Sequence, residues 1–400
     1  MAVTTKARVT AFRDDLGYHE DRAWGLLASA RDGTEGAVAA FERWGAPMTE
    51  AGARTVLARE HGFSSWSELG RHVGSLRGSE EPFIRAFRAV EAHDVAGLRQ
   101  QLDRSPELVH ARGTNDNDLL GMATATCDER LVAVLLEYGA DPARANVHGW
   151  TPLHQAAYSD LPHLARMLLA ARAPMDVSAR GEGGTPLVVA LFWGNRQTAE
   201  PLAEHGVVPP NLRAAAGLGL TGLIEELVSP DGALAPPARA WRAYYRPHSG
   251  FPAWRPSDDP QEILDEALSW AARNDRLDAL ELLVSRGARV DADVYRGTAL
   301  AWASSCGHVT AVRRLLDLGA DPNARTTFGG PDHGEAATAL HLAAESNRLD
   351  VIRELLKAGA DQTIRDARHD HTPVGWAEYG RQEAARDLLL DAWPGSPPVP

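Results

Sequence analysis

Two stretches late in the chain carry the same order of apolar and polar positions. One runs from Gly297 as GTALAWASSCGHVTAVRRLLDLGADPNAR, the other from Thr338 as TALHLAAESNRLDVIRELLKAGADQTIRD. In each, a Thr precedes a short apolar run, and a polar turn follows (Cys306-Gly307-His308; Ser346-Asn347-Arg348). Apolar residues at helical spacing then end in Leu-Leu, and Gly-Ala-Asp closes the unit (Gly319 to Asp321; Gly359 to Asp361). This pattern predicts two helices per unit, the second amphipathic. The Thr caps a helix N-terminus and the Gly supplies the left-handed residue that stops the second helix. A helix pair of this kind cannot bury its apolar face alone, so further copies are expected on both sides.

Those copies are present. Thr151-Pro-Leu-His-Gln-Ala-Ala157 is the best match in the first half, and Thr185-Pro-Leu repeats its opening 34 residues later. Pro at the first helical position has no amide to leave unbonded. Weaker pairs span Phe83 to Leu108, Asn117 to Asp141 and Asn211 to Val228; the period resumes from Gln261 to Arg289 and ends with Thr372 to Leu390. The repeated unit resembles the ankyrin repeat, whose period is about 33 residues. The resemblance implies an all-α solenoid of eight or nine helix pairs with short β-hairpin-like tips. It also implies that His154 and His341, fourth in the TPLH opening, serve structure by orienting backbone between repeats.

Three segments do not repeat. Residues 1–80 show helical patterning at His19 to Arg31, Glu35 to Trp44 and Thr49 to Glu60, followed by HGFSSWSEL. LAREHGFSSWSEL resembles an N-terminal segment of bacterial ankyrin-repeat proteins and is read as a helical cap on the first repeat. Residues 229–260, SPDGALAPPARAWRAYYRPHSGFPAWRPSDDP, break the period with prolines and aromatics. Linkers are poor in aromatics, so this segment is expected to be an ordered insertion between repeat blocks at 81–228 and 261–390. A tail follows at 391–400. The third irregularity is TTFGGPDHGEAA, which sets the openings at Thr298 and Thr338 40 residues apart and so adds about seven to the period.

Charge narrows the partners. With 41 Lys and Arg against 54 Asp and Glu, the net charge of −13 argues against nucleic acid or an anionic membrane, both of which need a basic face. Cys127 and Cys306 fall in different repeats, the pattern of a reduced protein without disulfides. No apolar stretch approaches a membrane span, and the N-terminus has no apolar signal core, so a cytoplasmic location is expected.

Few residues suggest chemistry. Gly217-Leu-Gly-Leu-Thr-Gly222 fits GxGxxG but follows LRAAA rather than a strand, and a helix–turn–helix junction explains it. His369-Asp-His371 lacks a third metal ligand and reads as a polar turn; no cofactor or metal is expected. Counted from the Thr position of the repeat, Trp270, Trp302 and Trp376 all fall four residues in, aligned with Gln155 and Leu342. There they are either a bulkier core or the wall of a concave groove. Trp150, Tyr158, Trp193, Tyr295 and Tyr379 fall at hairpin-tip or inner-helix positions, which by the resemblance face that groove. Gly375-Trp-Ala-Glu378 of the last unit resembles a segment of a bacterial subfamily of ankyrin proteins.

In the insertion, Tyr244, Tyr245, His248, Phe251, Trp254 and Arg255 stand in a stretch that resembles a bacterial subfamily of ankyrin proteins. So does Phe328-Gly-Gly-Pro-Asp-His-Gly-Glu335, which sets Asp332 beside His333. An Asp next to a His can set tautomer and basicity for acid–base work. Two functions follow as expectations. One is a module binding a protein, peptide or small molecule in an aromatic groove. The other is a cofactor-free enzyme (dehydration, cyclisation or isomerisation) with a pocket between the insertion, the GGPDHG loop and the Trp-bearing inner helices, His333 and His248 as bases, Asp332 orienting and Tyr244, Tyr245 or Tyr295 donating. No interface signature for oligomerisation is evident.

Overall fold

The computed structural model describes residues 15–31, 33, 35–75, 81–113, 116–146, 149–179, 183–239, 257–294, 297–328 and 335–393. Its contacts divide the chain into two compact units. Of the described residues, one holds those to Val189 with Gln197–Gly206; the other holds Ala190–Arg196 and those from Val207 onward.

The first unit begins with α1 (Leu16–Arg31), α2 (Glu35–Trp44), α3 (Glu50–Glu60) and α4 (Trp66–Ser75). These helices close on a core of their own, built from Ala23, Leu26, Leu27, Phe41, Val56 and Leu57 with Trp44 and Trp66 packed against it. The predicted helices are in place, and they share a hydrophobic cluster. The repeat pairs of this unit are α5 (Pro82–Glu91) with α6 (Val95–Arg104), α7 (Leu119–Ala125) with α8 (Glu129–Glu137), and α9 (Pro152–Tyr158) with α10 (Pro162–Ala170). Next come α11 (Pro186–Trp193) and α12 (Arg196–His205).

Caps explain where these helices start. Asp118 accepts from Gly121 N at 2.8 Å, and Asp94 accepts from Gly97 N at 2.8 Å. At α9, Thr151 and His154 form a reciprocal capping box, and His154 Nε2 lies 2.9 Å from Gly184 O in the next hairpin tip. The structural role expected of this histidine is therefore seen.

The second unit stacks α13 (Leu212–Leu218), α14 (Thr221–Leu227), α15 (Pro260–Arg273), α16 (Leu277–Ser285), α17 (Ala299–Cys306), α18 (Val309–Asp317), α19 (Ala339–Glu345), α20 (Leu349–Lys357), α21 (Pro373–Tyr379) and α22 (Glu383–Asp391). The odd-numbered helices form an inner row in which α13, α15, α17, α19 and α21 each pack on the next. Gly217 and Gly219 lie in α13 and at its left-handed end, as the junction reading requires. One inner helix departs from the common form of the repeat. α15 begins at Pro260, beside the Gln261 expected from sequence and two turns ahead of the usual opening position, is capped by Asp259 rather than by a Thr, and buries every side chain from Ile263 to Arg273.

Hairpin tips are closed by side-chain acceptors instead of extended ladders. Asp293 accepts from Gly297 N and Thr327 N, both at 2.6 Å. Asp366 accepts from the amides of Arg368, His369 and His371 at 2.9, 2.7 and 3.0 Å. Among the described residues the only β character is two isolated bridges, Val228 to Leu234 and Thr326 to Ala337.

Candidate functional site

Counting the opening position of each repeat as the first (the Thr, or Glu266 within α15), the fifth and eighth positions of an inner helix share one face, being three residues apart. In the second unit these are Trp270 and Arg273 on α15, Trp302 and Ser305 on α17, Leu342 and Glu345 on α19, and Trp376 and Tyr379 on α21. Phe192 takes the eighth position of α11.

Part of this face is filled from within. α13 is LRAAAGL, and its Ala214, Ala215, Ala216 and Gly217 are all buried. A Cβ at Gly217 would stand 3.2 Å from Leu191 and 3.5 Å from Asn274, so the neighbouring helices meet over this small-residue helix. Phe192 thereby comes within 5.3 Å of Trp302 and 6.1 Å of Trp270 by ring centroid, edge to face. The Arg273 guanidinium lies among them, 3.8 Å from the Trp302 ring, 4.8 Å from Phe192 and 5.3 Å from Trp270. It donates to Phe192 O at 3.1 Å and to Ser269 Oγ at 2.8 Å, and it is only 1 % exposed. A second buried guanidinium, Arg213, lies 4.8 Å from Trp270 and pairs with buried Glu266 at 2.6 Å.

This arrangement decides between the two readings of the tryptophans. Trp270, Trp302 and Trp376 are 3, 2 and 8 % exposed, so they are core and do not form the wall of an open groove. Phe328 joins them, half-buried 4.9 Å from Trp302. Trp376 belongs to a neighbouring cluster with Ala301, Ala337 and Leu342 and donates Nε1–H to Asp366 at 2.9 Å. Trp193 is half-buried beside Phe192. The groove positions left in solvent are Tyr379 at 83 % exposure with exposed Glu378 in the second unit, and Tyr158 at 41 % in the first, edge-on to Trp150.

The remaining candidates, Tyr244, Tyr245, His248, Phe251, Trp254, Arg255, Tyr295, Asp332 and His333, lie outside the described residues. That includes the whole acid–base set of the enzymatic reading. Among the described residues no group of three or more His, Cys, Asp or Glu is placed to hold a metal ion. His369 and His371 sit in the turn that Asp366 organises, their rings 6.0 Å apart. The sequence reading missed Arg273, Arg213, Glu266, Phe192 and Glu345. For Arg273 and Glu345 a signal existed: each stands three residues after a bulky fifth-position residue and so shares its face.

Electrostatics separate structural from responsive groups. Burial pushes the Cys306 thiol up to about 11, with Sγ 3.6 Å from Trp193 O. Burial likewise lowers His341 to about 4; its Nδ1 accepts from Thr338 N at 3.1 Å while Nε2 faces His371 O at 3.1 Å. On the open part of the face, burial of the Glu345 carboxyl raises its pKa.

Stacked helix pairs with capped inner helices and hairpin tips define the class: an all-α repeat solenoid. Family profiles then place the repeats. Residues 119–213 and 255–326 match the profile described as ankyrin repeats (3 copies), and 337–367 match the single ankyrin repeat. The chain contains ankyrin repeats, and such repeats point to a role in protein interaction.

Curated proteins with similar sequence carry the same signal. The palmitoyltransferase Hip14 of Drosophila melanogaster is 32 % identical over 152 residues, covering 31 % of this chain and 24 % of its own. Protein PhlB of Serratia liquefaciens is 30 % identical over 130 residues, 32 % of this chain and 56 % of that protein. The putative ankyrin repeat protein FPV022 of Fowlpox virus is 23 % identical over 312 residues, 76 % of this chain and 46 % of its own. The matched regions thus span between about a quarter and just over half of these relatives. No described helix is long and apolar enough to cross a membrane.

Proposed function

We propose that the chain is a binding module that takes a polypeptide partner on the inner-helix face of its second unit, at α19 and α21. The observation that carries this is the contrast along one face. Trp270, Arg273 and Trp302 are sealed into core, whereas Tyr379, at the same register, is 83 % exposed beside exposed Glu345. A large aromatic held in solvent by a rigid helix supplies contact area at low entropic cost, which is why tyrosine is enriched at interfaces. The position is an open face rather than an enclosure, which favours a polypeptide over a small molecule.

The test is site-specific photo-crosslinking in the native cell. One variant carries benzoylphenylalanine at Tyr379; another carries it at Arg353, exposed on the outer helix α20. A discrete adduct from position 379 and none from 353 is the expected outcome. Equal labelling from both, or none from 379, rules the reading out.

A further inference from the structure

The open end of this face carries an acid and an aromatic without the cation that accompanies such a pair elsewhere in the same unit. In the filled stretch, Glu266, Arg213 and Trp270 form a trio. The guanidinium bonds the carboxylate at 2.6 Å and lies 4.8 Å from the indole centroid. Arg273 repeats the aromatic half of this arrangement on Trp302. Two positions along, the fold sets Glu345 at the end of α19 and Tyr379 at the end of α21. These helix ends touch: a Cβ at Gly380, the residue after Tyr379, would lie 3.3 Å from Glu345 O.

Among the described residues neither side chain has a partner. Glu345 makes no hydrogen bond or ion pair there, and burial of its carboxyl raises its pKa. Tyr379, 83 % exposed, makes no hydrogen bond, ring contact or cation contact among the described residues. A carboxylate drawn partly out of water without a partner is an unfavourable arrangement that a cation relieves. A phenol ring standing in solvent beside it offers the π face such a cation seeks.

Resting on the binding reading above, we infer that the Glu345–Tyr379 step is a receptor for an arginine side chain presented by an extended segment of the partner. Arginine suits it better than lysine, because a planar guanidinium can stack on a ring while its edge bonds a carboxylate. The net charge of −13 favours approach of a basic segment.

The experiment uses the full chain and two synthetic peptides, acetyl-Gly-Arg-Gly-Arg-Gly-amide and its citrulline counterpart. Citrulline keeps the shape of arginine and removes the charge. Binding is followed by chemical-shift titration and calorimetry. The arginine peptide should bind at least tenfold more tightly than the citrulline peptide. Glu345→Gln and Tyr379→Ala should each weaken it about fivefold or more. Tyr379 is exposed and Glu345→Gln removes a partly desolvated charge, so neither variant should lower the thermal midpoint, and added salt should weaken binding. Equal affinity for the two peptides, or indifference to Glu345→Gln, overturns the inference. If both peptides bind equally and Tyr379→Ala abolishes both, the arginine receptor is lost while the face reading survives. Absence of crosslinking at position 379 removes the face reading itself.

Discussion

Replacing Arg273 tests how the inner face of the second unit came to be filled. Arg273→Ala deletes hydrogen bonds to Phe192 O at 3.1 Å and Ser269 Oγ at 2.8 Å, with a longer one to Ser269 O at 3.3 Å. It also removes a guanidinium within 5.3 Å of three ring centroids. Two good charge-assisted hydrogen bonds contribute about 3 kcal/mol, and desolvated cation–π contacts about 2 more. Against this stands the cost of holding an ion out of water, several kcal/mol, which the alanine variant avoids. The alanine variant also opens a cavity, which costs about 2 to 5 kcal/mol. The net expectation is a loss of about 3 to 5 kcal/mol.

The series matters more than the single value. Arg273→Met refills the space and discards the ion, so its cost should fall to about 1 to 2 kcal/mol, left by the unpaired acceptors. Arg273→Lys keeps the charge without the planar fork and should lie between them. Urea unfolding followed by tryptophan fluorescence and far-ultraviolet dichroism ranks the three. Guanidinium ion at low millimolar concentration should raise the midpoint of Arg273→Ala alone. Occupancy at ten times the dissociation constant would restore about 1.4 kcal/mol. A methionine variant as unstable as alanine, or an alanine variant within 1 kcal/mol of wild type and blind to guanidinium, would refute the reasoning.

Other expectations follow from individual groups. His341 has its pKa lowered by burial from 6.5 to about 4, so the fold favours the neutral ring. Its contribution, about 3 kcal/mol, is complete above pH 6.5 and is lost as pH falls toward 4; in His341→Gln the acid limb of stability measured by urea midpoint should flatten over that window. Iodoacetamide at pH 8 should alkylate exposed Cys127 and spare Cys306, whose thiol burial holds near 11, with peptide mass spectrometry as the readout. Gly194 has a φ of +74°, and a Cβ there would lie 2.1 Å from Arg273 O and 2.9 Å from Cys306 Sγ; Gly194→Ala should cost more than 3 kcal/mol, and a midpoint within error of wild type would show that the backbone yields there.

Much of the fold was legible because it rests on local signals. Thr151, Thr298, Thr338 and Thr372 begin helices where the sequence places them, since capping and apolar spacing act within one turn. α15 was legible only in part, because its start depends on Asp259 and Pro260 rather than on the repeated Thr. The fate of the tryptophans was not legible. Whether a fifth-position indole meets solvent depends on what neighbouring helices carry, and here α13 is small enough for Phe192 and Arg273 to close over Trp270 and Trp302. That is long-range packing, which no periodicity encodes. The insertion and the GGPDHG loop were singled out as departures from the repeat, and the residues nominated there for chemistry lie outside those described.

The inner face of the second unit therefore uses one register for two opposite ends. At α15 the eighth position supplies a cation, Arg273, and the indoles it meets on α15 and α17 become core. At α21 the eighth position is a tyrosine left 83 % exposed among the described residues. Burying an aromatic with a cation strengthens the stack but removes that surface from recognition; leaving one exposed forgoes burial and keeps it free to bind. An open Tyr379 at the edge of a sealed Arg273 cluster is thus rigidly presented, because its helix packs on α19, which packs in turn on α17. Moving the boundary should move the binding: an arginine introduced at Glu345 would offer Tyr379 an internal partner and remove the acid in one step. Glu345→Arg should therefore abolish arginine-peptide binding while leaving the urea midpoint equal to or above that of wild type. Retained peptide binding in that variant would show that the cation is recognised elsewhere.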